Sequence, residues 1–259
     1  MCKRLTPGAL NGFWSDDSKL KGCALDDALV SCICVTRNRV TLLKRAVHSF
    51  LQQTYSPCEL VIQYEADDIA TRSYVRTLTD PRIVPTEVQA MPHLSLGNRR
   101  NIALRDARGK YIAQWDDDDW SAPTRVAEQI AAIRTSGRQG CVLLRCLLFD
   151  EALQRASVSG SRFWEFSLVA ERLAVPAFSE LAKGEDTSVI VQMLNAYQLA
   201  GIDRPELYVY VFHGANIWDR EHWETAIAKD SQVLALSEIE AIAQQLRAFA
   251  LDSGLDALR

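Results

Sequence analysis

No C-x-x-C pair occurs among the seven cysteines of this 259-residue chain, at positions 2, 23, 32, 34, 58, 141 and 146, and their number is odd. That excludes a zinc ribbon or a fully paired disulfide framework and fits reduced thiols, with Cys32 and Cys34 read as packing residues on a strand. An excess of one charge is also lacking. With 29 basic against 33 acidic residues, a net −4, the chain has no general attraction for nucleic acid or an anionic membrane, although a local basic site remains open to it. No apolar run approaches the roughly eighteen residues that span a bilayer, and even the stretch from Cys141 to Phe149 is broken by Arg145. Met1-Cys2-Lys3-Arg4-Leu5-Thr6-Pro7-Gly8 carries two cations without an apolar segment or cleavage site behind them, so the expectation is a cytoplasmic protein rather than a secreted one. Glycine (12) and proline (8) are sparse while apolar residues reach 48%, which is a globular composition. A chain this long buries roughly three quarters of its unfolded surface, so its core needs no covalent or metal staple.

What is present is an alternation of strand and helix. Residues 1–28 mix Gly, Pro, Asp and Lys around Phe13 and Trp14 and read as an irregular leader. Order begins with the β-forming run 29–35, followed by Leu42, Leu43, Ala46, Val47 and Phe50 at helical spacing over 41–53. The pattern recurs as strand 59–64 and helix 69–78, strand 82–85 and helix 95–108, strand 110–115 and helix 123–135. Four such units predict an α/β fold, a mainly parallel sheet with helices on both faces. Ser95 is placed to cap one helix and Gly109 to end it, and Ser121 precedes Pro123 at the start of another. Strands are expected at 143–149 and 207–212, while 152–185 follows no clean period. The segment 236–259 opens on a capping box, Ser237-Glu238-Ile239-Glu240. It continues as an amphipathic helix bearing Ile239, Ile242, Leu246 and Phe249, to dock on the sheet or on a second copy in a homodimer.

The chemically informative segment is Asp116-Asp117-Asp118-Asp119 between Trp115 and Trp120. Such a run is often just a solvated loop. Here it sits where a parallel strand ends, the place at which open α/β sheets bind ligands. Carboxylates confined there repel one another and shift toward protonation unless a cation neutralises them. Hard oxygen donors favour Mg²⁺ or Mn²⁺, which leave coordination positions open for substrate phosphates.

With these residues in view, the stretch from Val30 to His213 resembles the family 2 glycosyltransferases of the GT-A fold. Val35-Thr36-Arg37-Asn38-Arg39 is similar to the family's nucleotide-contacting turn, and Leu51-Gln52-Gln53-Thr54-Tyr55 to the helix end after it. Gly97-Asn98-Arg99-Arg100-Asn101 resembles its Arg-Asn helix. Asp116–Asp119 resembles its aspartate motif, and Gly184-Glu185-Asp186 its later acidic pair. The resemblance implies a single GT-A domain over 29–235, with Rossmann-like sheet topology. Its 29–120 half would hold a nucleotide-sugar donor and its 121–235 half the acceptor and the catalytic residues. It implies an inverting transfer to a hydroxyl of a glycan or lipid-linked acceptor, at the inner face of a membrane by peripheral association.

Residue by residue, the resemblance implies Asp186 as general base with Glu185 beside it. The donor would be bound by Thr36, Arg37, Asn38, Arg39, Arg100, Asp116 and Asp117, and Mn²⁺ or Mg²⁺ by Asp118, Asp116 and His213. Each has a plainer reading. Asp186 precedes an apolar helix and could simply cap it, Glu185 could complement the helix dipole, and a histidine after an apolar strand can be structural. His48 and His93 are read that way. Trp120, Trp218 and Trp223 could border the acceptor, because aromatic faces suit sugar rings, or close the core. The family's turn after its second strand is altered to Glu65-Ala66-Asp67-Asp68, so Glu65, Asp67 and Asp68 compete to read the nucleobase. A nucleotidyltransferase would share the metal–diphosphate logic but usually has a Gly-rich, Lys-bearing loop that Thr36–Arg39 does not offer. A non-catalytic nucleotide-sugar-binding module would have no use for Asp186.

Overall fold

The computed structural model of the chain describes residues 28–91 and 94–252, with side chains up to 246. The expected leader, His93 and the side chain of Phe249 lie outside the described residues. In chain order, β1 (Val30–Val35), α1 (Val40–Leu51), β2 (Cys58–Glu65), α2 (Ile69–Val75), β3 (Ile83–Val88), α3 (Leu96–Asp106) and β4 (Tyr111–Gln114) form the alternation seen in the sequence. Their strands lie parallel in the order β3-β2-β1-β4. Every residue of β2 and β4 is buried, as expected for a parallel strand covered on both faces. Cys32, Cys34, Leu60 and Ile62 point to the face packed by Leu43, Val47 and Phe50 of α1, while Ile33 and Ile112 point to Ala103 of α3. Burial pushes the thiols of Cys32 and Cys34 well up, so they remain protonated packing groups.

After β4 come β5 (Trp120–Ser121), α4 (Arg125–Ser136), β6 (Gly140–Leu143), β7 (Leu147–Asp150), β8 (Arg155–Val158) and β9 (Val169–Glu171). These are followed by α5 (Thr187–Asn195), β10 (Leu199–Ile202), β11 (Tyr208–Phe212), α6 (Arg220–His222), β12 (Gln232–Val233) and α7 (Leu236–Asp252). The main sheet has seven strands, ordered β10-β6-β9-β4-β1-β2-β3, with β9 antiparallel to both neighbours. A second sheet, β12-β8-β7-β11-β5, was not foreseen. The strand expected over 143–149 is in fact β6 in one sheet and β7 in the other. Arg145 marks the crossing, its guanidinium bonded to Asp203 at 2.7 Å at a surface where a charge can stay solvated.

Ser95 caps α3 as expected, its hydroxyl accepting from the Asn98 N–H at 3.1 Å. Gly109 does not end that helix. Its role is close approach, since a Cβ there would lie 2.7 Å from the Leu29 carbonyl oxygen and the Ser31 nitrogen. Ser121 belongs to β5 and does not cap α4; Thr124 stands at the cap position and gives its hydroxyl to Glu128. Ser237 lies inside α7, and the reciprocal half of the box is two residues earlier, with Glu238 accepting from the Ala235 N–H at 2.8 Å. The apolar face of α7 covers the second sheet, burying Ile242 and Ala243, with Ile239 and Leu246 packed beside them. The face expected to serve either the sheet or a second copy is therefore taken by this chain's own sheet. Among the described residues no helix is long and apolar enough to cross a membrane.

At the amino end of the main sheet Glu59 ties three segments together. It accepts from Ser31 Oγ at 2.6 Å, from the Arg108 N–H at 3.2 Å and from Arg108 Nε at 2.9 Å. Burial pushes its pKa up, but the Arg108 and Ser31 bonds prevail and hold it below the ordinary glutamate value. A carboxylate with a depressed folded pKa stabilises above its unfolded value and loses that contribution as pH falls through the folded one. Glu59→Gln is expected to cost about 1–3 kcal/mol at pH 7, with the difference from wild type narrowing toward pH 3. Urea unfolding at the two pH values measures it, and a gap that widens in acid would contradict the assignment.

Candidate active site

The parallel strands β1 and β4 end at one cleft of about 610 Å³, a volume suited to a small-molecule ligand. Period two carries on past the end of β4 through the acidic run. Asp116 and Asp118 keep 20% and 14% side-chain exposure, whereas Asp117 keeps 4%. The first and third carboxylates thus open on the cleft, and the second and fourth turn inward.

Each carboxylate has its own partners. Asp116 accepts from Arg100 at 2.8 Å; Asp117 accepts from Thr36 Oγ1 at 2.7 Å and Arg39 at 2.9 Å. Asp118 accepts from Arg39 at 2.5 Å and lies 3.2 Å from His213 Nε2. Asp119 accepts from the Tyr208 hydroxyl at 2.6 Å and the Val211 N–H at 2.8 Å, which binds it to β11 as a structural group. Burial raises Asp116, and burial together with the charge of Asp118 pushes Asp117 up to about 7. Asp119 is raised by the same causes. Asp118 goes the other way: although burial opposes ionisation, His213 and Arg39 hold it below the usual range.

Arg100, expected at the donor, has its guanidinium taken up by two carboxylates. Nε donates to Glu185 at 2.6 Å and the other nitrogen to Asp116, so this buried cation joins the end of β4 to the start of α5. Burial raises the pKa of Glu185, and Arg100 opposes it. Asp186 occupies the cap position of α5 without capping it. Its Oδ2 instead accepts from Gln114 Nε2 at 3.2 Å, and the carboxylate lines the cleft. Gln114 escaped the sequence reading because a lone glutamine in an apolar strand carries no chemical signature. It is fully buried, and its Oε1 has no hydrogen-bond partner among the described residues.

Behind two of the cleft's cations, Glu65 is fully buried between Arg37, at 2.9 Å, and Arg99. Asp67 is more open and meets Arg37 at 3.2 Å. Asp68 drops out of the competition to read a base: it caps α2 through the Thr71 N–H and accepts from the Asn38 N–H at 2.6 Å. Asn38 stands in the left-handed region, at φ 53°, and makes the turn; Thr36, Arg37 and Arg39 line the cleft while it does not.

The aromatic expectations need correcting. Trp120 is buried in the second sheet's core, and Trp223 packs there against Tyr210 and Phe212 with ring centroids 5.5 and 5.0 Å away. Large apolar rings on inward-facing strand and helix positions are drawn to that core. Trp115 is also interior, its indole N–H donating to the Ala46 carbonyl. Only Trp218 of the three acceptor-side tryptophans lines the cleft.

Among the described residues no three acidic, histidine or cysteine side chains converge as a preformed metal site. Asp118 and His213 do converge, and Asp116 opens on the same cleft. That is a partial oxygen-and-nitrogen donor set, and it fits a divalent ion that takes one or two carboxylates and completes its shell with phosphate and water. The guanidinium of Arg39 lies between Asp117, Asp118 and His213, 3.2 Å from the imidazole, where it neutralises the two carboxylates.

The sequence pattern that defines glycosyl transferase family 2 matches residues 31–176, more than half of the chain. The chain belongs to glycosyl transferase family 2. The match includes the Thr36–Arg39 turn and the four aspartates and stops short of Asp186. WcaA of Escherichia coli strain K12, named as a glycosyl transferase of colanic acid biosynthesis, is 36% identical over 111 residues, 41% of this chain and 38% of that protein. WfaP of Escherichia coli, named as a UDP-Glc:alpha-D-GlcNAc-diphosphoundecaprenol beta-1,3-glucosyltransferase, is 31% identical over 107 residues, 41% of this chain and 42% of that one. The matched stretch is thus about two fifths of the length of these relatives. The mannosyltransferase PcManGT of Pyrobaculum calidifontis, solved with GDP-Man and Mn²⁺, superposes with a TM-score of 0.58 over 89% of this chain and 74% of that one at 17% identity. The glycosyltransferase therefore has the expected GT-A arrangement, a mostly parallel sheet flanked by helices.

Proposed function

We propose that this family 2 glycosyltransferase is a metal-dependent, inverting enzyme. It moves a sugar from a nucleoside diphosphate to a hydroxyl of a glycan or lipid-linked acceptor. The observation that carries this is the carboxylate of Asp186, which lines the same cleft as Asp116 and Asp118 and accepts from Gln114 instead of capping its own helix.

In the transfer, the acceptor oxygen forms a bond to the anomeric carbon as the bond from that carbon to the diphosphate oxygen breaks. The electron pair leaves with the diphosphate, and the hydroxyl proton passes to Asp186 as general base. Asp118, His213 and Asp116 would hold Mn²⁺ or Mg²⁺, which when bound supplies Lewis-acid stabilisation of the leaving diphosphate. Thr36, Arg37, Arg39 and Arg99 form the nucleotide wall, with Asp117 and Glu65 behind it. Arg100 and Glu185 position Asp116 and Asp186 relative to each other. The names of WfaP and PcManGT carry UDP-Glc and GDP-Man, and that of WfaP a lipid-linked acceptor, which supports a nucleoside diphosphate donor and an acceptor of that kind here. Such an acceptor would bring the enzyme to the cytoplasmic face of a membrane as a peripheral protein.

The test is calorimetric titration of UDP and GDP with and without Mn²⁺, then turnover with a panel of UDP- and GDP-sugars. Asp118→Asn is expected to weaken metal-dependent nucleotide binding by about 10–100-fold. Equal nucleotide affinity with and without Mn²⁺ in the wild-type protein would remove the metal from the mechanism.

A further inference from the structure

Six lysine and arginine side chains line the cleft, and they differ in how their charge is used. Arg37, Arg39, Arg99 and Arg100 are each engaged by at least one carboxylate. Lys183 has no carboxylate partner among the described residues, and its ammonium lies 4.4 Å from the Trp218 ring centroid. Arg162 reaches Glu165 only at 3.6 Å and lies 3.7 Å from the Trp164 ring centroid. Two cations at one end of the cleft are therefore held on indoles instead of in close ion pairs. A cation–π contact orients a charge without neutralising it.

The same contacts remove the role expected of Trp218. His222 stacks on it with ring centroids 3.8 Å apart and planes 16° apart, so Lys183 must occupy the opposite face. With both faces covered, the indole cannot stack on a sugar. His222 responds to both cations: burial lowers its pKa, and Arg162 and Lys183 lower it further against Asp219. They act on one spot, and Lys183 stands three residues before Asp186, with both lining the cleft.

Resting on the glycosyl-transfer reading, we propose that Lys183 and Arg162, held by Trp218 and Trp164, form an acceptor subsite that binds a phosphate or diphosphate ester, so that the acceptor is a glycosyl phosphate rather than a neutral glycan. Recognition at this end is by charge, because the aromatic surface is occupied. Close to Lys183 and Trp218 along the chain the surface is apolar: Leu181 and Ile217 are each 51% exposed. That suits an ester carried on a lipid, though a soluble sugar phosphate offers the same anion.

The experiment is calorimetric titration of the full chain, holding Mn²⁺ and UDP or GDP at the donor end. The probes are geranyl diphosphate and glucose 1-phosphate, with geraniol and methyl glucoside as neutral counterparts. The phosphate-bearing probes are expected to bind in preference to the neutral ones. The exposed double substitution Lys183→Ala/Arg162→Ala should weaken them about tenfold or more at unchanged nucleotide affinity, and Lys183→Arg should retain most of the binding. Binding of geranyl diphosphate alone assigns the lipid as source; comparable binding of glucose 1-phosphate assigns the ester itself. The proposal is overturned if neither phosphate probe outbinds its neutral counterpart, if the double variant binds them like wild type, or if it loses nucleotide instead. Absence of any Mn²⁺–nucleotide binding by the wild-type chain would instead strike the glycosyl-transfer reading beneath it.

Discussion

Asp186→Asn is expected to lower turnover by about two to four orders of magnitude while Mn²⁺-dependent nucleotide affinity stays within about twofold of wild type. The amide keeps the size of the side chain and can still meet Gln114, but it cannot take a proton from the acceptor hydroxyl. Helix stability should not change, because the carboxylate makes no capping bond to α5. A second arm probes the same arrangement. Gln114→Leu removes the donor that turns Asp186 into the cleft, and it should reduce kcat about tenfold with nucleotide affinity intact, as expected for a misaligned base. Single-turnover kinetics with a UDP- or GDP-sugar measure both. Full activity in the asparagine variant would retire Asp186 as base, and equal losses of kcat and nucleotide affinity in the leucine variant would make Gln114 merely structural.

Arg100→Met should destabilise the fold by about 3–5 kcal/mol, because removing one partner of a buried charge network leaves the others uncompensated. Methionine preserves most of the apolar stem, so the loss isolates the guanidinium, which stands 5.9 Å from the Phe178 ring centroid. Without the guanidinium, Asp116 and Glu185 share a buried space with no counter-ion. Arg100→Lys keeps a positive charge but loses the fork that serves both carboxylates at once, so its cost should be smaller. Urea unfolding of the three proteins measures this. A methionine variant within about 1 kcal/mol of wild type would show that the network is not a buried one in solution.

How much of this could be read from the chain depends on the kind of signal. Strands β1, β2 and β4 were legible because a parallel strand buried on both faces is a run of apolar residues between helical periods. The aspartate run was legible because four adjacent carboxylates are conspicuous wherever they fall. The second sheet was not: β11 was expected as a strand, but β5, β7, β8 and β12 are only two to four residues long, and their mixed parallel and antiparallel pairing joins segments far apart in the chain. Partnership at long range was the other gap. Arg100 looks like a ligand-binding cation until Glu185, eighty-five positions later, is brought to 2.6 Å by α5. Trp120, Trp218 and Trp223 look alike as letters, yet two close a core and the third clamps a lysine.

The acidic run also spans the boundary between the two sheets. Its first member is fastened through Arg100 to α3 and α5, and its last is stitched to β11 by Tyr208 and Val211. Like a strap buckled at both ends, the segment cannot swing alone: parting the sheets would first have to tear out the Asp119 bonds. Its two cleft-facing carboxylates are thus set in place before any ligand arrives, so that little rearrangement is left for the moment of reaction.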